Sequence, residues 1–445
     1  MSRVMEGDLV IIGAGTAGSY LGWRLGQRGH RVYLVEKQKA GEPGSHIGIF
    51  HVDEIRFAQF GIPLPEGDEL IGYYPEGRAW PPDGDEAQIV RYPFYVMEMP
   101  LFIKRLQSYA TGAGAQILFE TEFTGLLLEE ERPAGIKART ASEELIIKAP
   151  LVIDASGVDG VGRVSLPASL GVETDPIDPQ DFLYVILQYW DDLEEDFPRG
   201  LNFYPFHKAF INPGYGEGAI VGIGQPEKLE IAAQVQEQFL KERFPGVKYR
   251  LVKKTWGRTP YRRPPFSLVA DSFMVVGDAA FMTKPFSGEG VTSGFTACQI
   301  AVETADAALQ KGDTSREQLW PLNVRYFRDQ GAKFAGLMAQ LLVAAELSRN
   351  DVNYLFSRDI IFSGYDFEQM NRYFWVKMGP GRLLKTAAAL LGGRLSGKLS
   401  REGFAALMKA MNSSEAIKKH YERFPENPAD FPPWEAQARE LWKRN

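Results

Sequence analysis

Two sets of residues in this 445-residue chain have the types and spacing to do chemistry. In the first, Gly13, Gly15 and Gly18 follow the G-x-G-x-x-G pattern, and an acid, Glu36, comes 21 residues after Gly15. Gly13 permits a tight turn, Gly15 lets backbone amides approach a pyrophosphate, and Gly18 allows close helix packing. Thr16 and Ala17 lie inside this turn, and Glu36, followed by Lys37, is placed to accept hydrogen bonds from ribose hydroxyls. The second set lies far downstream in "VVGDAAFMTKPFSGEG", residues 275–290. Here Asp278 stands at the end of an apolar run, Lys284 and Pro285 follow, and Gly288, Gly290 and Val291 open a new periodic segment.

Each set needs elements to hold it. "LVII" before Gly13 reads as a short buried strand and "SYLGWRL" after Gly18 as a helix with an apolar stripe. "RVYLVE" is then a second parallel strand ending in Glu36. Strand, glycine turn, helix and acid together specify a dinucleotide site. The downstream set decides which dinucleotide. A nicotinamide cofactor does not require a second distant acid, whereas a flavin has a ribityl chain and a ring to be held further along. Asp278 suits a ribityl hydroxyl, and a helix opening at "GEGVTSG" can turn free amides toward the flavin pyrimidine edge. The expected cofactor is therefore FAD.

Composition narrows the remaining chemistry. A single cysteine, Cys298, excludes an internal disulfide, a CxxC redox pair and a cysteine-ligated metal site within this chain. A net charge of −7 argues against nucleic acid as a partner. The first residues lack a signal-like apolar region, and the longest apolar-rich run, "FAGLMAQLLVAA", is too short to span a bilayer. A cytoplasmic protein is expected.

The glycine fingerprint, "VIDASGVDGVGR" at residues 152–163 and the 277–290 stretch resemble the FAD-dependent group that includes the p-hydroxybenzoate-type aromatic hydroxylases. Over most of the first 340 residues the chain is more closely similar to the geranylgeranyl reductases, through "GRTPYRRPPFSLVADSFMVVGDAA" and "GDTSREQLWPLNVRYFRD". The resemblance implies an α/β fold: a Rossmann-like FAD-binding domain with an inserted β-meander, an antiparallel-sheet substrate domain and a helical C-terminal region. The FAD-binding parts are expected at 1–84, 99–180 and 268–330, a substrate-domain strand at 85–98, the substrate sheet at 181–267 and the helices at 331–445. Ser156 and Gly157 would pack under the FAD, and Arg163 serves structure or the pyrophosphate side. The implied reaction is hydride delivery from reduced flavin N5 to a carbon–carbon double bond of an apolar prenyl or lipid-derived substrate. The alternative is an NAD(P)H-dependent monooxygenase acting on an aromatic or polyketide-like substrate. The electron donor stays open among NAD(P)H, ferredoxin and quinol.

Departures from the family pattern bear on substrate. Where the reductases carry Tyr-x-Trp-x-Phe-Pro, this chain has "KAFINP", with Lys208, Phe210 and Asn212 in place of the aromatics. Met99 stands where an arginine is usual, and Ser45 and His46 stand near the usual flavin-side cysteine. His46 is the candidate catalytic proton donor. His51, Lys208 and Phe210 are candidate substrate contacts, and the competing reading for each is an ordinary loop or sheet-edge residue. No tryptophan has another two positions away, so the Trp-x-Trp-x-Ile-Pro segment of related halogenases is missing. Finally, residues 377–419 hold nine Lys or Arg against two acids. That tail either packs with its charges solvated or meets the inner face of a membrane peripherally.

Overall fold

The computed structural model describes residues 3–443 apart from 45, 196, 286 and 345. Its centre is a six-stranded sheet in the order Val269–Ala270, Phe273–Val275, Leu151–Asp154, Leu9–Ile12, Val32–Val35 and Gln116–Leu118. All neighbours are parallel except the first pair. These strands are almost wholly apolar because both faces are covered, by helices such as Thr16–Gly26 and by the strand Arg132–Arg139 of a second sheet, which is why they read as continuous hydrophobic runs. Ile12 lies level with Val35 and with Asp154, and Asp154 lies level with Val275. Gly13, Glu36, Ala155 and Val276 therefore leave the sheet along one edge, the carboxyl edge where open α/β sheets bind ligands.

The expected meander is present as a four-stranded sheet, Arg3–Glu6, Glu144–Lys148, Arg132–Arg139 and Glu122–Glu129. Two of its details differ from the sequence reading. The first strand of the run, Gln116–Leu118, joins the parallel sheet as an edge beside Val32–Val35. Its place is taken by Arg3–Glu6, whose polar ends conceal a strand that pairs in parallel with Glu144–Lys148.

The second large sheet has seven strands, in the order Arg250–Pro260, Phe182–Asp191, Ala219–Pro226, Ala209–Pro213, Leu201–Tyr204, Gly77–Ala79 and Gln88–Val90. Gly77–Ala79 corrects the boundary expected at 84. Three residues carry too little periodicity to mark a strand, and parallel pairing with Leu201–Tyr204 draws them into this sheet. The segment expected as one strand at 85–98 is also divided. Gln88–Val90 ends the seven-stranded sheet, while Phe94–Glu98 is the middle of a three-stranded sheet between Ile49–Asp53 and Leu70–Tyr74.

Alternation along the strands gives the seven-stranded sheet two apolar faces. Ile186, Trp190, Ile211 and Val221 pack under the helix Leu229–Arg243. Leu187, Tyr189, Ile220 and Phe210 turn the other way, against Ile49, Phe94 and Val96 of the three-stranded sheet. From Ala332 the chain is helical. Ala332–Ala344 packs along Arg401–Tyr421, and the last turn of that pair is anchored to the central core by Trp320, Phe424, Phe431 and Trp434. No described helix is long and apolar enough to cross a membrane.

Candidate functional site

The fingerprint folds as its glycines require. A Cβ at Gly18 would lie 2.0 Å from the carbonyl oxygen of Gly13, so any side chain there would force turn and helix apart. A Cβ at Gly15 would meet no atom within 4 Å, which leaves open space before the helix Thr16–Gly26. That helix has no side-chain cap, so the first-turn amides of Thr16, Ala17 and Gly18 are available to an anion. Glu36 is buried and braces the turn, its Oε2 accepting from the Ala14 amide at 3.0 Å and its Oε1 from the Gln38 amide at 2.9 Å. Each carboxylate oxygen has a further lone pair for a ribose hydroxyl. Lys37 is exposed, with Nζ 4.0 Å from Asp159.

The downstream motif meets this edge. Gly277 follows the strand Phe273–Val275 with a left-handed φ of 67°, and its Cα faces Ala17 and Gly294. Asp278 accepts from the Thr283 hydroxyl at 3.2 Å. Burial raises its pKa and the threonine hydrogen bond opposes that rise. A Cβ at Gly290 would sit 2.9 Å from Asp278 Oδ1, so a side chain there would press on the carboxylate beside the start of the helix Val291–Lys311. That helix too has no side-chain cap. Pro285 is buried, and Gly288 closes the loop by donating to the Lys284 carbonyl at 2.9 Å. Gly157 opens on free space on the neighbouring strand exit. Open cradles at Gly15 and Gly157, two uncapped helix starts and two placed carboxylates fit an extended dinucleotide such as FAD. Arg163 is fully buried and clamps this edge from behind, donating to the carbonyls of Ala279, Glu173 and Asp175.

The loop also carries a cluster of charges that sequence spacing did not reveal. Lys284, 1% exposed, forms an ion pair with Glu289 and donates to Asn371 Oδ1 at 3.2 Å. Glu289 Oε1 lies 3.1 Å from Nε2 of His51, which stands in the strand Ile49–Asp53. Asp53, two residues on, is within 3.8 Å of Arg56, whose guanidinium donates to the Asn371 carbonyl and lies over the Phe374 ring. Burial works against the charge on Glu289, but Lys284 and His51 overcome it and hold the carboxyl well below the usual range. Burial works most strongly against charge on His51, yet its hydrogen bond to Glu289 together with the charges of Glu289 and Asp53 outweighs this and raises the imidazole pKa. Burial and the nearby Glu289 push Asp53 up to about 6.

The remaining candidates divide. His51 points the same way as Ile49, toward the apolar space between the two sheets, with its ring 5.7 Å from Phe94. Phe210 reaches that space as well. It lies over Gly222, where a Cβ would be 2.1 Å from the phenyl ring. Asn212 shares its strand face, and Asn212 Oδ1 is buried without a hydrogen-bond partner among the described residues. Lys208 sits before that strand in a left-handed turn, exposed, with Nζ 5.2 Å from the centre of the Tyr261 ring. His46 is exposed on a loop beside Gly257, with no hydrogen bond or ion pair among the described residues, and partial burial lowers its pKa. Ser45 lies outside the described residues. The loop is held to the sheet by Tyr189, whose hydroxyl donates to the Ile47 carbonyl. Thr259 and Thr283, 3.1 Å apart, join the sheet to the downstream motif.

The NAD(P)-binding Rossmann-like domain family matches residues 11–59. A digeranylgeranylglycerophospholipid reductase of Sulfolobus acidocaldarius is 26% identical over 98% of this chain and 97% of its own length. The protein is an FAD-dependent oxidoreductase that resembles the geranylgeranyl reductases. In fold, the oxidoreductase is similar to a geranylgeranyl bacteriochlorophyll reductase-like protein of Thermoplasma acidophilum, with a TM-score of 0.73 and 17% identity over 89% of this chain and all of that one. A flavin-dependent brominase shares the fold at a TM-score of 0.61 and 18% identity, over 93% of this chain and all of that one. One scaffold thus carries several flavin chemistries, and the site residues must choose between them.

Proposed function

We propose that this oxidoreductase saturates carbon–carbon double bonds of a prenyl or other lipid-derived substrate. The observation that carries the reading is the match to a digeranylgeranylglycerophospholipid reductase along nearly the whole of both chains. Bound and reduced, FAD supplies the hydride. The amides of residues 15–18 would hold its pyrophosphate, Glu36 its ribose and Asp278 its ribityl chain, and the amides opening Val291–Lys311 would be left for its ring.

The substrate would enter between the two sheets, where Leu187, Tyr189, Phe210 and Phe94 pack against one another as an apolar lining. A proton must complete the saturation. His46 and His51 are both candidates, and His51 is favoured, because the Glu289 carboxylate beside it raises its imidazole pKa while His46 has no acid beside it. Asn212 gives the lining a buried acceptor where the family pattern has an aromatic, which suits a substrate with a hydrogen-bond donor partway along an apolar body. The test is turnover of the dithionite-reduced enzyme on polyprenyl lipids with and without a mid-chain hydroxyl. Saturation of the hydroxylated lipid in preference to the plain one is expected. No saturation of either lipid contradicts the assignment.

A further inference from the structure

The helix Pro380–Leu395 packs onto the tail by a narrow stripe. Leu390 is buried with Leu355 and Leu399, Gly393 gives way to the Tyr354 ring, and the Tyr354 hydroxyl donates to the Ala389 carbonyl at 2.7 Å. Its opposite side is apolar and open. Leu384, Leu391 and Leu395 are 74%, 56% and 88% exposed, and with Ala388 they recur at intervals of four, three and four residues, one continuous helical face. Residues 380–400 contain no acid. The cations around the face are of two kinds. Arg382 is tied to Asp366 and Lys385 to Asp359. Arg394 and Lys398 have no acidic partner among the described residues, and both are exposed.

We propose that this face docks the protein on an anionic lipid bilayer, with the leucines entering the headgroup boundary and the free cations meeting lipid phosphates. Exposed leucines along one side of a helix with basic residues at their margin suit a helix lying in the plane of a membrane surface. Charge decides against a second copy as the occupant. A two-fold contact would set this face against itself, bringing Arg394 and Lys398 of both copies together with no acid between residues 380 and 400 to offset them. The docking rests on the lipid-substrate reading for its purpose and on the helix alone for its geometry.

The test uses the full-length, FAD-loaded protein and vesicles free of any prenyl substrate, one set an equal mixture of phosphatidylglycerol and phosphatidylcholine, the other phosphatidylcholine alone. Binding to the anionic set, weakened by salt, is expected. Changing Leu384, Leu391 and Leu395 together to serine is expected to lower that binding by about tenfold or more. Arg394→Gln with Lys398→Gln is expected to weaken it and flatten its salt dependence. Because all five side chains are exposed or half-buried, unchanged circular dichroism is expected for both variants. No binding of the wild type at low salt overturns the proposal, as does undiminished binding of the leucine variant. A concentration-dependent dimer in sedimentation velocity that the leucine variant abolishes also overturns it, assigning the face to a second copy. Turnover on a detergent-dispersed prenyl lipid is measured separately, so a failed reductase assignment leaves the docking result standing.

Discussion

His51 Nε2 lies 3.1 Å from Glu289 Oε1, across 238 residues of sequence. The contact joins the three-stranded sheet to the loop that opens the flavin-motif helix, and Lys284 joins the same carboxylate from the other side. Because Lys284 also reaches Asn371 of the helical tail, three separate parts of the chain share one buried charge cluster. Isolated charges at this depth are costly, so each member depends on its partners.

Removing the central acid is therefore expensive. Glu289→Gln leaves the buried Lys284 without its nearest counter-charge and is expected to cost about 3 kcal/mol in chemical denaturation. Combining it with Lys284→Met is expected to recover more than half of that loss. Additive losses in the double variant argue against the pairing.

The histidine gives the cluster a pH signature. Its folded pKa is raised above the usual value of about 6.5, so its contribution to stability is fully present below that value and fades as pH rises through the folded pKa. The melting temperature of the wild type is expected to exceed that of His51→Gln most at pH 6 and least at pH 9. A gap that widens toward pH 9 contradicts the raised imidazole pKa.

How much of this was legible in the sequence depends on range. Gly13 to Glu36 and Gly277 to Val291 are local patterns, in which backbone geometry fixes residue type, and both were readable directly. The parallel strands could be read as unbroken apolar runs. Gly77–Ala79 could not, since three residues establish no period. His51, Glu289 and Asn371 come from a strand, a loop and a tail helix whose meeting is a consequence of topology alone. The one available hint was compositional: Lys284 and Glu289 lie in a glycine-rich loop that a purely structural turn would not charge.

Asp278 is expected to decide flavin retention. Asp278→Ala removes the carboxylate beside the start of the Val291–Lys311 helix, and the purified variant is expected to lose FAD on gel filtration while the wild type stays yellow. Equal retention contradicts the ribityl placement.

At the nucleotide end, Glu36→Ala is expected to weaken FAD binding by about 1.5 to 3 kcal/mol, the scale of a hydrogen bond to a charged group. Apoprotein stability is expected to fall as well, since Glu36 also holds the amides of Ala14 and Gln38. Unchanged flavin affinity in titration contradicts its role at the ribose.

The reduced protein is expected to hand its two electrons to a carbon–carbon double bond. The direct measurement is an anaerobic single turnover: photoreduce the enzyme, add a prenyl lipid, follow reoxidation of the flavin spectrum and weigh the product. Reoxidation without oxygen, in step with a lipid heavier by two hydrogens for each flavin reoxidised, is the expected result. A flavin that stays reduced until air is admitted, followed by a product carrying labelled oxygen, contradicts it and assigns the site to oxygenation.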